Sequence, residues 1–253
     1  SNLTETLAPE PAEDPPEEFL TKIVGFVFIK AVPLLEIVKV KFPPVVFVVI
    51  VIVALVPPSV RRVLDVGCAT GALGRFLKER HGADVYGAEF DPAMAKEAES
   101  HLSKVWNVDL NRTGLDSLTH TDSYDLIVFG DVLEHLIDPW AILRQAAELL
   151  DKDGSIIASF PNIGHYTTLF HLLFMRRWPY RNRGIHDRTH LRFFTRKNLL
   201  DLYTQAGLRI VQEKRNLRLW ESGSSVDFMA AILDFWPFRS FVTFQYVHRL
   251  QKV

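Results

Sequence analysis

Cysteine is almost missing from this chain of 253 residues, and Cys68 is the only one. A disulfide framework within the chain is thereby excluded, and the compartment leans towards the cytoplasm. Net charge is also nearly absent, at −1. Without a general basic excess, no nucleic-acid partner is expected. Lysine and arginine are missing from residues 1–18, which hold six acids and four prolines, so this stretch reads as a disordered acidic tail. The chain opens Ser-Asn without a methionine, which reads as a processed or trimmed start.

Charge is missing again from the nineteen residues Phe42 to Val60, FPPVVFVVIVIVALVPPSV, nominally enough for a membrane span. Pro43-Pro44 and Pro57-Pro58, however, bracket only twelve residues. As a helix these would cover about 18 Å against a hydrocarbon core of ~30 Å. The abundance of Val and Ile favours a strand over a helix. Residues 19–60 thus form an apolar N-terminal appendage with two uses open. One is packing on the core or a partner subunit; the other is peripheral membrane contact through residues 19–56.

What is present is organised around RRVLDVGCATGALGRFLKER, Arg61 to Arg80. An apolar strand ends in a glycine turn and feeds a helix, the way a doubly wound sheet makes a ligand crevice at its carboxyl edge. Asp65 lies within the apolar strand, where an acid is costly unless bonded, and is expected to tie down the loop's amides. The glycines Gly67, Gly71 and Gly74 are spaced G-x-x-x-G-x-x-G, and Ala69 stands where a dinucleotide fingerprint has its second glycine. That substitution argues against a nicotinamide-dependent oxidoreductase.

The string VLDVGCATG resembles the first motif of class I S-adenosylmethionine-dependent methyltransferases, and the DVLEHL string at Asp131 to Leu136 is similar to one frequent there. The resemblance runs from about Arg61 through Asn162. It implies an α/β, Rossmann-like, mostly parallel seven-stranded sheet with an antiparallel final strand, and a methyltransferase domain over residues 61–253. The implied cofactor is S-adenosylmethionine, held by Asp65, Gly67, Cys68, Gly71, Glu89, Phe90, Asp109, Leu110 and Asp131. Several of these positions have their own logic. ADVYGAEF ends a second strand in Glu89, about 20 residues past the glycine loop, where an acid can accept both hydroxyls of a ribose. KVWNVDL, Lys104 to Leu110, reads as a third strand ending in Asp109, which the resemblance sets against the adenine amino group. Tyr124 to Phe129 is a buried strand, with Asp131 at its end beside the methionine part of the donor.

Past the fifth strand, Ser155 to Phe160, an insertion at residues 161–194 lies where a substrate lid would be. It holds Arg176, Arg177, Arg181, Arg183, Arg188 and Arg192 against one acid, Asp187. That excess points to a small anionic acceptor, with His165, Tyr166, Arg181 and Arg183 as its contacts. GIHDRTHLRFFT, Gly184 to Thr195, resembles a segment of some bacterial methyltransferases. Methyl transfer mainly needs alignment, and a base only if the acceptor must lose a proton. His135, His186 and His190 are the candidates. HDRTH places His186, Asp187 and His190 near one point, yet a lone cluster lacks a third fixed direction, so no metal is expected. Thr195 caps a helix over Arg196 to Ala206, Gly207 stops it, and Leu208 to Glu213 and Phe241 to His248 read as the last two strands. A donor-binding or membrane-associated scaffold without turnover is the alternative from a different class.

Overall fold

The computed structural model describes residues 44–118, 123–220 and 227–253. The expected acidic tail and the front of the apolar appendage, residues 1–43, lie outside the described residues. The strands are β1 Arg62–Val66, β2 Asp84–Glu89, β3 Lys104–Asn107, β4 Tyr124–Gly130, β5 Leu150–Pro161, β6 Leu208–Leu217 and β7 Thr243–Lys252. They form one seven-stranded sheet in the order β3-β2-β1-β4-β5-β7-β6. All pairings are parallel except those of β7, which runs antiparallel to both β5 and β6. The order reverses between β1 and β4, and doubly wound sheets bind their ligands at the carboxyl ends of the strands at such a reversal.

Helices cover both faces. They are α1 Pro44–Leu55, α2 Ala72–His81, α3 Pro92–Ala98, α4 Leu110–Thr113, α5 Pro139–Leu149, α6 Tyr166–Leu173, α7 Arg196–Gln205 and α8 Arg239–Val242. Strand alternation divides the core in two. Leu64, Ile127, Phe129 and Ile156 pack against Ile142, Leu143 and Ala146 of α5 and Leu199 of α7. Val63, Val85, Val128 and Ile157 pack on the opposite side with Leu77 of α2 and with Val51, Ile52 and Leu55 of α1. Acids and prolines start the helices as their spacing predicts. Asp91 accepts from Ala93 N and Met94 N ahead of Pro92, and Asp138 accepts from Ala141 N ahead of Pro139. Thr195 and Asn198 form a capping box at α7, and Gly207 follows at φ 68°.

The apolar run is a correction to the sequence reading: Pro44–Leu55 is helical. Helix propensity costs Val and Ile a few tenths of a kcal/mol each, whereas burying such a side chain contributes about 1.5–3 kcal/mol. Val48, Ile50, Val51, Ile52, Val53 and Leu55 are all buried, so burial decides. A helix apolar on nearly every side is a core helix, and here it lies on the sheet. Among the described residues, no helix is long and apolar enough to cross a membrane. The third strand is shorter than expected. It stops at Asn107 because Asp109 turns the chain into α4, accepting from Asn111 N at 3.0 Å.

Candidate active site

The glycine loop leaves β1 through backbone that side chains resist. Gly67 has φ 73°, and a Cβ there would stand 2.4 Å from Val132 Cγ2. Gly71 follows at φ 85°. Ala69 also has positive φ, 46°, which costs a non-glycine residue free energy and is held by a specific bond. Its N–H donates to Glu89 Oε2 at 2.9 Å, while Asp91 N donates to Glu89 Oε1 at 2.8 Å. Glu89, not Asp65, therefore ties down the loop. Each oxygen takes one of these bonds and has capacity to accept another.

Asp65 sits beneath, 3% exposed, with Oδ2 buried and no partner. Burial, and then the charge of Glu89, pushes its carboxyl up to about 7. Cys68 is buried beside it, and burial raises its thiol further from reactivity. Phe90 points out at 71% exposure from the end of β2, a flat apolar face at the rim. Asn107 Nδ2 donates to the carbonyls of Glu89 and Phe90, at 3.0 and 2.9 Å, and fixes that end. Asp109 and Leu110 are half-buried at the neighbouring strand end.

Across the reversal, Asp131 leaves β4 at φ 55°. Ser159 Oγ donates to its Oδ1 at 2.6 Å, and Gln245 Nε2 donates to both oxygens at 2.7 and 2.9 Å. Burial raises this carboxyl's pKa, and the Ser159 and Gln245 bonds oppose the rise. Sequence reasoning missed Asn107, Ser159 and Gln245. The one available signal was a lone glutamine inside the apolar string FVTFQYV, and its meaning depends on the pairing of Gln245 with Pro161 across β5 and β7.

The candidate histidines divide. His135 and His190 meet with ring centroids 4.7 Å apart, next to the fully buried Glu134. Burial, and then the neighbouring His135, lower His190 to about 4, so it is neutral at ordinary pH. Burial, and then Asp131, raise Glu134 well above the usual carboxylate range. The carbonyl of Glu134 accepts from Leu191 N and Arg192 N, both at 2.9 Å, which brings the end of the insertion against the turn that follows β4. His186 is elsewhere, wholly buried, with Nε2 on Thr168 Oγ1 at 3.0 Å and its ring against Trp178.

The expected acceptor contacts divide as well. His165 caps α6 with no exposure, and its ring nitrogens engage Thr167 Oγ1 at 2.8 Å and the Arg218 carbonyl at 2.9 Å. Neither nitrogen is left for an acceptor. Tyr166 OH donates to the Leu219 carbonyl. Both residues fasten α6 to the chain beyond β6. Arg181 and Arg183 remain exposed, and the backbone of Arg181 pairs with His186 and Arg188.

A family model described as a methyltransferase domain matches residues 49–213. The ubiquinone biosynthesis O-methyltransferase of Ruegeria pomeroyi is 32% identical over 158 residues, 60% of this chain and 62% of that one. The enzyme of the same name from Neisseria meningitidis is 29% identical over 160 residues, 61% of this chain and 66% of that one. The chain thus spans less than two thirds of the length of these relatives. Among solved structures, a methyltransferase from Archaeoglobus fulgidus superposes with TM-score 0.55 at 19% identity, covering 77% of this chain and 87% of that one. Magnesium protoporphyrin IX methyltransferase from Synechocystis, solved with bound SAH, gives TM-score 0.51 at 16% identity over 94% and 83%. Sheet order, glycine loop and family match agree: the chain belongs to the methyltransferase-domain family and has the fold of class I S-adenosylmethionine-dependent methyltransferases.

Proposed function

We propose that the chain methylates a hydroxyl of a small, anionic acceptor held between the donor crevice and the insertion at residues 161–194. The observation behind the hydroxyl is the grouping of Glu134, His135 and His190 just past the end of β4, in reach of the crevice. An alcohol or phenol is a poor nucleophile until its proton leaves, and this group gives the proton a destination. The names of the relatives, O-methyltransferases, favour the same acceptor atom.

The donor pocket fits S-adenosylmethionine on this structure's own terms. Gly67 turns the loop at positive φ with its bare backbone packed on Val132, Glu89 presents a carboxylate rim for ribose hydroxyls, and the buried Asp65 Oδ2 lacks a partner. In this reading Gly67 and Gly71 admit the donor's backbone-like part, with Cys68 walling that side. Glu89 holds the ribose, Phe90, Asp109 and Leu110 surround the adenine, and Asp65 and Asp131 face the methionine end. When bound, S-adenosylmethionine supplies an electrophilic methyl on a sulfonium. The residues on the acceptor side orient the hydroxyl, exclude water and draw off its proton; such alignment can supply about 7–11 kcal/mol. The exposed guanidinium groups of Arg181 and Arg183 support an acceptor with a carboxylate or phosphate.

The test uses methyl-labelled S-adenosylmethionine with 3,4-dihydroxybenzoate, catechol and an aromatic amine, followed by mass spectrometry. The reading requires label on oxygen and faster turnover of the carboxylate. Label on nitrogen alone overturns the acceptor atom, and equal rates for the carboxylate and catechol overturn the charge.

A further inference from the structure

We propose that Glu134, His135 and His190 form a binding site for one first-row divalent metal ion, with zinc the best match, beside the donor crevice. The three side chains each offer one ligand atom, and these atoms lie within 4.8 Å of one another. Sequence spacing pointed to a different set. The HDRTH string suggested His186 with His190, but His186 is turned into the lid and bonded to Thr168. Folding instead brings His190 against the Glu134-His135 pair, 55 residues earlier, which gives the third fixed direction the sequence cluster lacked.

Two independent observations point to a ligand. Glu134 is 1% exposed, and both its carboxylate oxygens are buried without a hydrogen-bond partner. An unpaired buried carboxylate is costly, and a cation is a direct remedy. The second observation is the orientation of the His135 ring. Thr189 Oγ1 donates to Asp187 Oδ1 at 2.6 Å, so towards His135 Nδ1, 3.1 Å away, it acts as an acceptor. The Thr189 carbonyl, 3.3 Å from the same nitrogen, can only accept. His135 therefore carries its proton on Nδ1 and keeps the Nε2 lone pair for an ion. A second nitrogen anchored by a carbonyl is the usual support of a metal-bound histidine.

Two imidazoles and one carboxylate suit zinc, manganese or cobalt, whereas calcium and magnesium prefer all-oxygen shells. Tetrahedral bonds of about 2.0–2.1 Å place ligand atoms about 3.3 Å apart, so the half-buried imidazoles need only turn inward. Three protein ligands leave a position open, the arrangement of catalytic rather than structural zinc. Its use rests on the proposed hydroxyl acceptor. With the ion held, the three side chains would serve as its ligands and not as the proton's destination: a bound hydroxyl would be more acidic and lose its proton to solvent before the site closes, and its oxygen would then form the new bond to carbon while the carbon–sulfur bond breaks. The existence of the site does not depend on that reading.

The experiment titrates the metal-stripped full chain with cobalt(II) chloride and follows visible absorption, without donor or acceptor; zinc affinity is read by competition. One equivalent of cobalt should produce intense d–d bands, displaced by zinc. Glu134→Gln, His135→Ala and His190→Ala should each weaken cobalt binding by more than the ~100-fold that loss of an outer partner costs, and Thr189→Val by about 10–100-fold. Because Glu134→Gln alters a buried group, each variant is also titrated with S-adenosylmethionine, and His190→Ala should keep wild-type donor affinity. Absence of stoichiometric cobalt binding overturns the site, as does binding that persists in His190→Ala, or binding of magnesium in preference to zinc. Cobalt binding without methylation of any hydroxyl would keep the site and overturn the proposed acceptor instead.

Discussion

Gln245 Nε2 donates to both carboxylate oxygens of Asp131, at 2.7 and 2.9 Å, across 114 residues of sequence. The antiparallel strand β7 thus reaches back to the end of β4, beside the proposed donor site, and holds a half-buried acid whose desolvation would otherwise favour its neutral form. Gln245 is a positioning residue on this account. Gln245→Leu should weaken S-adenosylmethionine binding about tenfold, the value of one hydrogen bond to a charged group. Gln245→Glu, nearly isosteric, should weaken it further by setting like charges together. Calorimetry that finds Gln245→Glu equal to wild type would contradict the role.

Gly67 tests the loop. In Gly67→Ala the new Cβ meets Val132 Cγ2 at 2.4 Å, and the residue must keep φ 73°. The positive φ alone costs about 1 kcal/mol, and the clash adds to it. Donor affinity should fall sharply. Adding Val132→Ala should recover the part due to the clash and leave the part due to φ. Wild-type affinity in Gly67→Ala would mean that the loop does not line the donor site.

Asp65 carries a pH signature. Its folded-state value of about 7 lies above the ordinary 3.8, so the native protein holds this proton more tightly than the unfolded chain. Stability of the donor-free protein should therefore fall as pH rises from about 4 to about 7, with the penalty absent below that window and fully present above it. Asp65→Asn removes the titration. Its thermal stability relative to wild type should grow from pH 4 to pH 7 and then level off, while donor affinity drops. Parallel melting curves for the two proteins would show that burial does not perturb Asp65.

Much of this was legible in the sequence because it rests on local chemistry. Asp91-Pro92 and Asp138-Pro139 cap their helices through bonds within three residues. Gly67 and Glu89 lie in one strand–turn–helix–strand unit. What was not legible depends on pairing at long range. Glu89 displaced Asp65 as the loop's anchor because only the registry of β1 and β2 decides which acid reaches Ala69 N. His190 joined Glu134, and Gln245 joined Asp131, through contacts across 56 and 114 residues. The apolar helix α1 was misread as a strand because propensity is weaker than burial against the sheet.

That helix gives a further prediction. Ile52 is 2% exposed and packs with the sheet core, so Ile52→Ala should lower stability by about 2–5 kcal/mol. Ala54, exposed on the same helix, should tolerate Lys within about 0.5 kcal/mol. Chemical denaturation measures both. An unchanged midpoint in Ile52→Ala, with altered detergent dependence, would return the helix to the membrane reading.

The most direct measurement of the account is calorimetric titration of wild type and Glu89→Ala with S-adenosylmethionine and with NAD. Glu89 anchors the loop through Ala69 N and presents its carboxylate where ribose hydroxyls are expected. Wild type should bind one equivalent of S-adenosylmethionine and give no heat with NAD. Glu89→Ala should bind S-adenosylmethionine more weakly by roughly 1–3 kcal/mol, as two hydroxyls lose an ionised acceptor. Unchanged affinity in Glu89→Ala, or binding of NAD in its place, would contradict the assignment of this crevice to the methyl donor.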